Sequence, residues 1–169
     1  VGALVIGLGQ RAAGDDAIGI AIVEALRSEN HDGVRTEIVQ DATELVQALS
    51  TPDPVILVDA LVGVGASPGH VEIYEVDAVS RLPQSGLSTH GIGVGQAIAL
   101  SRTLYPEAAC PRILIVGVHI DPPSAYRFAR SPEVDAALPR ALEIVLSLCT
   151  EFSEVFPARI GARAEPSRT

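Results

Sequence analysis

Carboxylate and imidazole groups fall in three short stretches at the borders of apolar segments. Gly14-Asp15-Asp16 follows the first such segment, Val58-Asp59-Ala60 ends a later one, and Ser88-Thr89-His90-Gly91 opens a helical stretch. Two carboxylates and one imidazole make a hard-to-borderline donor set that suits a first-row divalent metal. Three protein ligands leave positions for water or a further ligand, as a hydrolytic centre requires. Each residue also has an ordinary use. Asp15 or Asp16 can cap the helix that follows, an interaction worth about 1 kcal/mol. Asp59 can serve a loop hydrogen bond, and His90 can be a loop histidine with both nitrogens satisfied. His119, after the last apolar segment, is a further crevice candidate and more simply a core histidine; His31 and His70 fall in surface turns. Nucleophile schemes fare worse, because the chain has no Gly-x-Ser-x-Gly elbow and neither Cys110 nor Cys149 has a catalytic context.

The elements that must position these groups read as alternating strands and helices. Compact apolar runs at Ala3–Gly7, Pro54–Asp59 and Arg112–Val118 predict buried strands, and Val34–Val39 alternates like a strand nearer an edge. Helical spacing predicts helices over Ala17–Ser28, Gly93–Leu104 and Val134–Phe152, with Pro139 tolerated only near a first turn or at a kink. A short helix over Thr43–Leu49 has Asp41 or Thr43 as its cap. Gly63–Gly69 is a Gly/Pro loop leading to a strand at Val71–Val76. No helix separates that strand from the one before it, so the two are expected to pair antiparallel. The order β-α-β-α-β-β-α-β-α describes one α/β domain, a three-layer sandwich around a mostly parallel twisted sheet, over residues 1–156, with an Arg/Ala/Pro-rich tail at 157–169. In such a sheet the three chemical stretches converge on a crevice at the carboxyl ends of the strands.

Composition narrows the functional classes. The 169 residues suit one domain with a substantial core. With 47% apolar residues, 4% aromatic and no Trp or Met, that core is built from Val, Ile, Leu and Ala, as parallel sheets favour. A net charge of −9 argues against a nucleic-acid partner, which needs clustered Lys and Arg. The two distant cysteines read as buried free thiols in a reducing compartment. No apolar run reaches the length of a membrane span, and Ala3–Gly7 is too short for a signal-peptide core. Gly7-x-Gly9-x-x-Ala12 formally matches a dinucleotide fingerprint, yet two carboxylates precede the helix and would repel a pyrophosphate.

Taken together these residues resemble the hydrogenase maturation proteases. Val5-Ile6-Gly7-Leu8-Gly9-Gln10 followed by Gly14-Asp15-Asp16-Ala17-Ile18-Gly19 is similar to that family's opening. Val58-Asp59-Ala60, Pro68-Gly69, Ser88-x-His90 and Val116-Gly117-Val118 follow in the family's order, so the likeness runs from about Val1 to Leu148. Gln10 stands where the family usually has Asn, and Asp41-Ala42-Thr43-Glu44 is only roughly equivalent to the family's segment after the second strand. The resemblance implies a phosphorylase/hydrolase-like α/β fold and an endopeptidase; a cytoplasmic location and a monomer are the accompanying expectations. Its implied substrate is the nickel-iron hydrogenase large-subunit precursor, which loses a C-terminal peptide after nickel insertion. Asp16, Asp59 and His90 match the positions that contact nickel in the family. The resemblance implies nickel carried by the substrate, with no permanently bound cofactor. A non-proteolytic checkpoint that binds the nickel-loaded precursor would use the same ligands and stands as the alternative, with dinucleotide binding a third.

Overall fold

Apolar runs that cannot be left in water pair into one sheet in the computed structural model, which describes residues 3–29, 31, 34–63, 65–76, 93–108, 110–122 and 128–156. Its strands are β1 (Leu4–Leu8), β2 (Arg35–Val39), β3 (Val55–Val62), β4 (Val71–Glu75) and β5 (Ile113–Ile120), in the spatial order β2-β1-β3-β5-β4. The first three and β5 are parallel, while β4 runs antiparallel to β5. Central β1, β3 and β5 are buried along nearly their whole length, which explains their unbroken Val, Ile and Leu. Strand β2, at one edge, alternates exposed and covered residues.

Among the described residues, four α-helices cover the two faces: α1 (Ile18–Glu29), α2 (Ala42–Ala48), α3 (Val94–Leu104) and α4 (Pro132–Val155). Helices α1 and α4 pack together over one face, where Ile18, Ile22, Val134, Ala141 and Phe152 join Val5, Val58 and Val116. Helices α2 and α3 pack over the other, where Leu45, Val94 and Ile98 meet Leu57, Leu61 and Ile115. This is the expected three-layer α/β sandwich. Because α1 leads to β2 over one face and α2 leads to β3 over the other, the chain reverses its winding between β1 and β3. That reversal opens a crevice at the carboxyl ends of those strands.

Several sequence expectations change in the tertiary context. Strand β4 does run against β3, but its neighbour is β5 and not β3. Apolar β5 needs both faces and both edges covered, whereas β4, with exposed Glu72 and Glu75, tolerates the sheet edge. The β3–β4 loop is tied across to β5 by Gly69 N donating to His119 O and His119 N donating to His70 O, each at 2.8 Å. Helix α4 starts earlier than its apolar pattern suggests, at Pro132, with Ser131 as N-cap, and runs on through Pro139. Pro139 is exposed, so the carbonyl that loses its helical bond faces water, and the buried face of α4 carries the helix past it. The tail at 157–169 lies outside the described residues. Among the described residues no helix is long and apolar enough to cross a membrane.

Candidate active site

The register of the sheet places Asp59 differently from the sequence expectation. It does not end β3 but sits inside it, three residues before the terminal Val62. Pairing of β1 with β3 stops at Gly7↔Val58, while pairing of β3 with β5 continues through Asp59↔Gly117 to Val62↔Ile120. Asp59 is therefore the first β3 residue without a β1 neighbour, at the head of the crevice. By strand alternation its side chain shares a face with Leu57 and Leu61, the face under α2 and α3.

Asp16 closes the same crevice from the β1 side. After β1 the chain turns through Gln10–Ala13 into a short 3-10 turn, Gly14–Ala17, which packs against β3 and leads directly into α1. Asp16 Oδ2 accepts a hydrogen bond from Gln10 N at 3.0 Å, so the carboxylate folds back over the loop that precedes it. Gly9, at φ +136°, makes this possible: a Cβ there would lie 2.1 Å from Asp16 O. Asp15 or Asp16 was expected to cap the helix that follows. Asp15 instead serves another helix, its Oδ1 accepting from Ser131 N at 2.5 Å at the start of α4.

The electrostatics of the acid pair set it apart. Asp16 is 5% exposed and Asp59 1% exposed. Asp59 Oδ1 accepts from Ala60 N at 2.9 Å, but Oδ2 is shut off from solvent with no hydrogen-bond partner. Burial first, and the charge of Asp16 second, push the Asp59 carboxyl from 3.8 up to about 7, against a smaller pull downward from the Ala60 amide. A buried carboxylate oxygen without a donor is unstable by roughly 1–3 kcal/mol or more unless a proton or cation supplies the missing partner. The donor chemistry of this pair therefore fits a divalent cation.

Other chemical residues resolve into separate roles. His90 lies outside the described residues. His119 is buried on β5, on the Asp59 face, but engages β4: Tyr74 Oη donates to Glu72 Oε2 at 2.6 Å and lies 3.3 Å from His119 Nε2. With the tyrosine proton directed at Glu72, His119 Nε2 is placed to donate to Tyr74 Oη, and Nδ1 is left buried without a partner. Tyr74 is pushed up to about 12 by burial and by the Glu72 carboxylate, while Glu72 is held below its usual range chiefly by the tyrosine hydrogen bond. Neither this Glu72–Tyr74–His119 cluster nor the clamp on α4 was found from the sequence. The Ser131-Pro132-Glu133 start of α4 was a readable cap signal; the side-chain cluster, assembled across β4 and β5, had none. Among the described residues no three His, Cys, Asp or Glu side chains form a metal-holding group, so His119 does not complete the Asp16–Asp59 pair. Exposed His70 stacks obliquely on His119, and His31 pairs with Glu29 at the surface. Asp41 caps α2. Cys110 and Cys149 are free and buried, and burial pushes both thiols up to about 11, which makes them poor nucleophiles.

Known proteins share both the sequence pattern and this architecture. The family model for hydrogenase maturation proteases (HycI) matches residues 20–148, a span that includes Asp59 and His90 and begins just after Asp16. The hydrogenase 2 maturation protease of Escherichia coli (strain K12) is 30% identical over 153 residues, covering 88% of this chain and 90% of that protein. Among solved structures, the hydrogenase maturating endopeptidase HybD from E. coli is similar at a TM-score of 0.75 and 27% identity, covering 89% of this chain and 93% of that one. The HybD protease from Thermococcus kodakarensis shares the fold at a TM-score of 0.72 and 20% identity, over 88% and 99% of the respective chains. With an acid-lined crevice at the sheet's switch point and a family match across most of its length, the chain belongs to the hydrogenase maturation proteases and is a peptidase.

Proposed function

We propose that this peptidase removes a C-terminal peptide from the nickel-iron hydrogenase large-subunit precursor after nickel insertion, and that Asp16, Asp59 and His90 read the substrate's nickel. One observation carries the reading: Asp59 Oδ2 is buried beside Asp16 with no hydrogen-bond donor, so the crevice offers a carboxylate oxygen to an incoming cation. Connectivity supports including His90. It stands three residues before Gly93, the N-cap of α3, and α3 packs on the sheet face that carries Asp59. Nickel arriving with the precursor would bring the scissile bond to the carboxylates. There the metal polarises the carbonyl or activates a water, and a carboxylate assists the proton transfers that release the new amine. An acidic, phosphate-repelling entry to α1 speaks against nucleotide binding. The proposed place of work is the cytoplasm.

The test is cleavage of nickel-loaded and nickel-free precursor, read as the mass of the product. The expected result is a shortened product from the nickel-loaded form only, and none with Asp16→Ala, Asp59→Ala or His90→Ala. Equal cleavage of the nickel-free form would sink the metal-reading role. A stable complex with no shortened product would make the protein a checkpoint binder of that precursor.

A further inference from the structure

We propose that Asp15 is a positioning residue that fixes Asp16 relative to Asp59 by gripping the first turn of α4; the inference rests on the metal-reading role of Asp16. Asp15 Oδ1 and Ser131 N are 2.5 Å apart and 116 positions apart in the chain. The pairing joins the loop after β1 to the helix after β5. A carboxylate at the N-terminus of this 24-residue helix meets one of its unpaired N–H groups and the positive end of its dipole, a charge-assisted bond of the stronger kind.

The same turn of α4 also meets the loop between β3 and β4. Gly69, at φ +82°, lies so close to α4 that a Cβ there would be 2.5 Å from Glu133 O. Gly69 belongs to the loop that leaves β3, the strand of Asp59, and its N–H is bonded to His119 O. The start of α4 thus touches the segment that carries Asp16 and the segment that follows Asp59. Bonds near in the chain also shape the Asp16 turn, the Gln10 N donation to Asp16 Oδ2 at 3.0 Å among them. Ala13 N donates to Gln10 O at 3.1 Å and Asp16 N to Ala13 O at 3.3 Å, and Ala13 at the head of the turn supplies no side-chain cap. The Asp15–Ser131 bond adds an anchor from outside the turn, and position matters at a reacting site, where a misplacement of about 1 Å can remove about 100-fold in rate.

Comparing two substitutions at Ser131 separates the backbone donor from the hydroxyl cap. Its φ of −69° and ψ of 154° suit proline, which has no N–H, whereas alanine keeps the N–H and loses only the hydroxyl cap. The experiment measures kcat and KM on nickel-loaded precursor for Asp15→Leu, Asp15→Asn, Ser131→Pro and Ser131→Ala, at a temperature where circular dichroism shows each folded. The expectation is a kcat loss of about 10- to 100-fold for Asp15→Leu and Ser131→Pro with KM within about 2-fold. Asp15→Asn, which still accepts through Oδ1, and Ser131→Ala should stay within about 3-fold of the parent. Native kcat in a folded Asp15→Leu variant, with only its melting temperature lowered, would overturn the inference, as would an Asn variant as impaired as Leu. If Ser131→Pro does not fold, the Asp15→Leu and Asp15→Asn pair decides. Asp16→Ala is run alongside. A native rate there overturns the metal-reading role itself, whereas an inactive Asp16→Ala beside a native Asp15→Leu overturns only the positioning role.

Discussion

Asp41 and Asp59 both look, in the linear chain, like carboxylates where an apolar run gives way to a loop, and their surroundings could hardly differ more. Asp41 is exposed, and its Oδ1 accepts from Thr43 N and Glu44 N at 2.8 and 2.9 Å, while Glu44 returns a bond to Gln40 N. Every polar atom it brings to the start of α2 has water or a donor. Asp59 is buried inside β3, with one oxygen bonded to the adjacent amide and the other to nothing. The folded protein gains a cap from Asp41 and carries a liability in Asp59. A liability of that kind is retained where a ligand relieves it, which is why we propose the β1–β3 crevice, and not the end of β2, as the place of chemistry.

Substitutions can break or sharpen this contrast. The largest effect is expected for Asp59→Ala, which should lower kcat/KM for precursor cleavage by about 1,000-fold or more in a single-turnover assay. Asp59→Asn should be inactive yet more stable. Native Asp59, titrating near 7, keeps a proton that the unfolded chain releases near 3.8, so native stability falls as pH rises through that window and levels off above it. The asparagine variant lacks this penalty. Its advantage in urea unfolding should open between about pH 4 and 7 and reach up to about 4 kcal/mol at about pH 8. An advantage that shrank with rising pH would refute the assignment. Gly9→Ala should destabilise by about 2 kcal/mol or more and impair cleavage, because it combines a positive φ with a clash against Asp16 O; thermal melts and kcat report the two effects. Smallest is Asp41→Ala, expected to lower stability by about 1 kcal/mol through loss of the α2 cap and to leave kcat unchanged. A loss of activity there would erase the distinction between the two carboxylates.

Much of this was legible before folding. The periodicity of Ala17–Ser28 and Gly93–Leu104 located α1 and α3 to within a residue or so, because a helix that buries one face must repeat its apolar residues every three to four positions. The apolar runs around Val5, Ile56 and Ile115 marked the central strands, since only a strand buried on both faces is apolar without alternation. Strand ends were less legible. The termini of β3 and β5 depend on where neighbours stop pairing, so Asp59 looked like the last residue of a strand and His119 like one beyond a strand, and both are inside one.

The partition follows from the range of the forces involved. Local pattern and local chemistry lie in the sequence: the α/β class, the Asp-rich entry to α1, the carboxylate at the end of an apolar run, and the family resemblance that links them. What only the tertiary structure decided are relations between residues far apart in the chain. These are the insertion of β5 between β3 and β4, the bond from Asp15 to Ser131, the Glu72–Tyr74–His119 cluster, and the desolvation that leaves Asp59 Oδ2 without a partner. Burial and a neighbour's charge act through space, and no spacing of residues along the chain encodes them until the sheet has set its register.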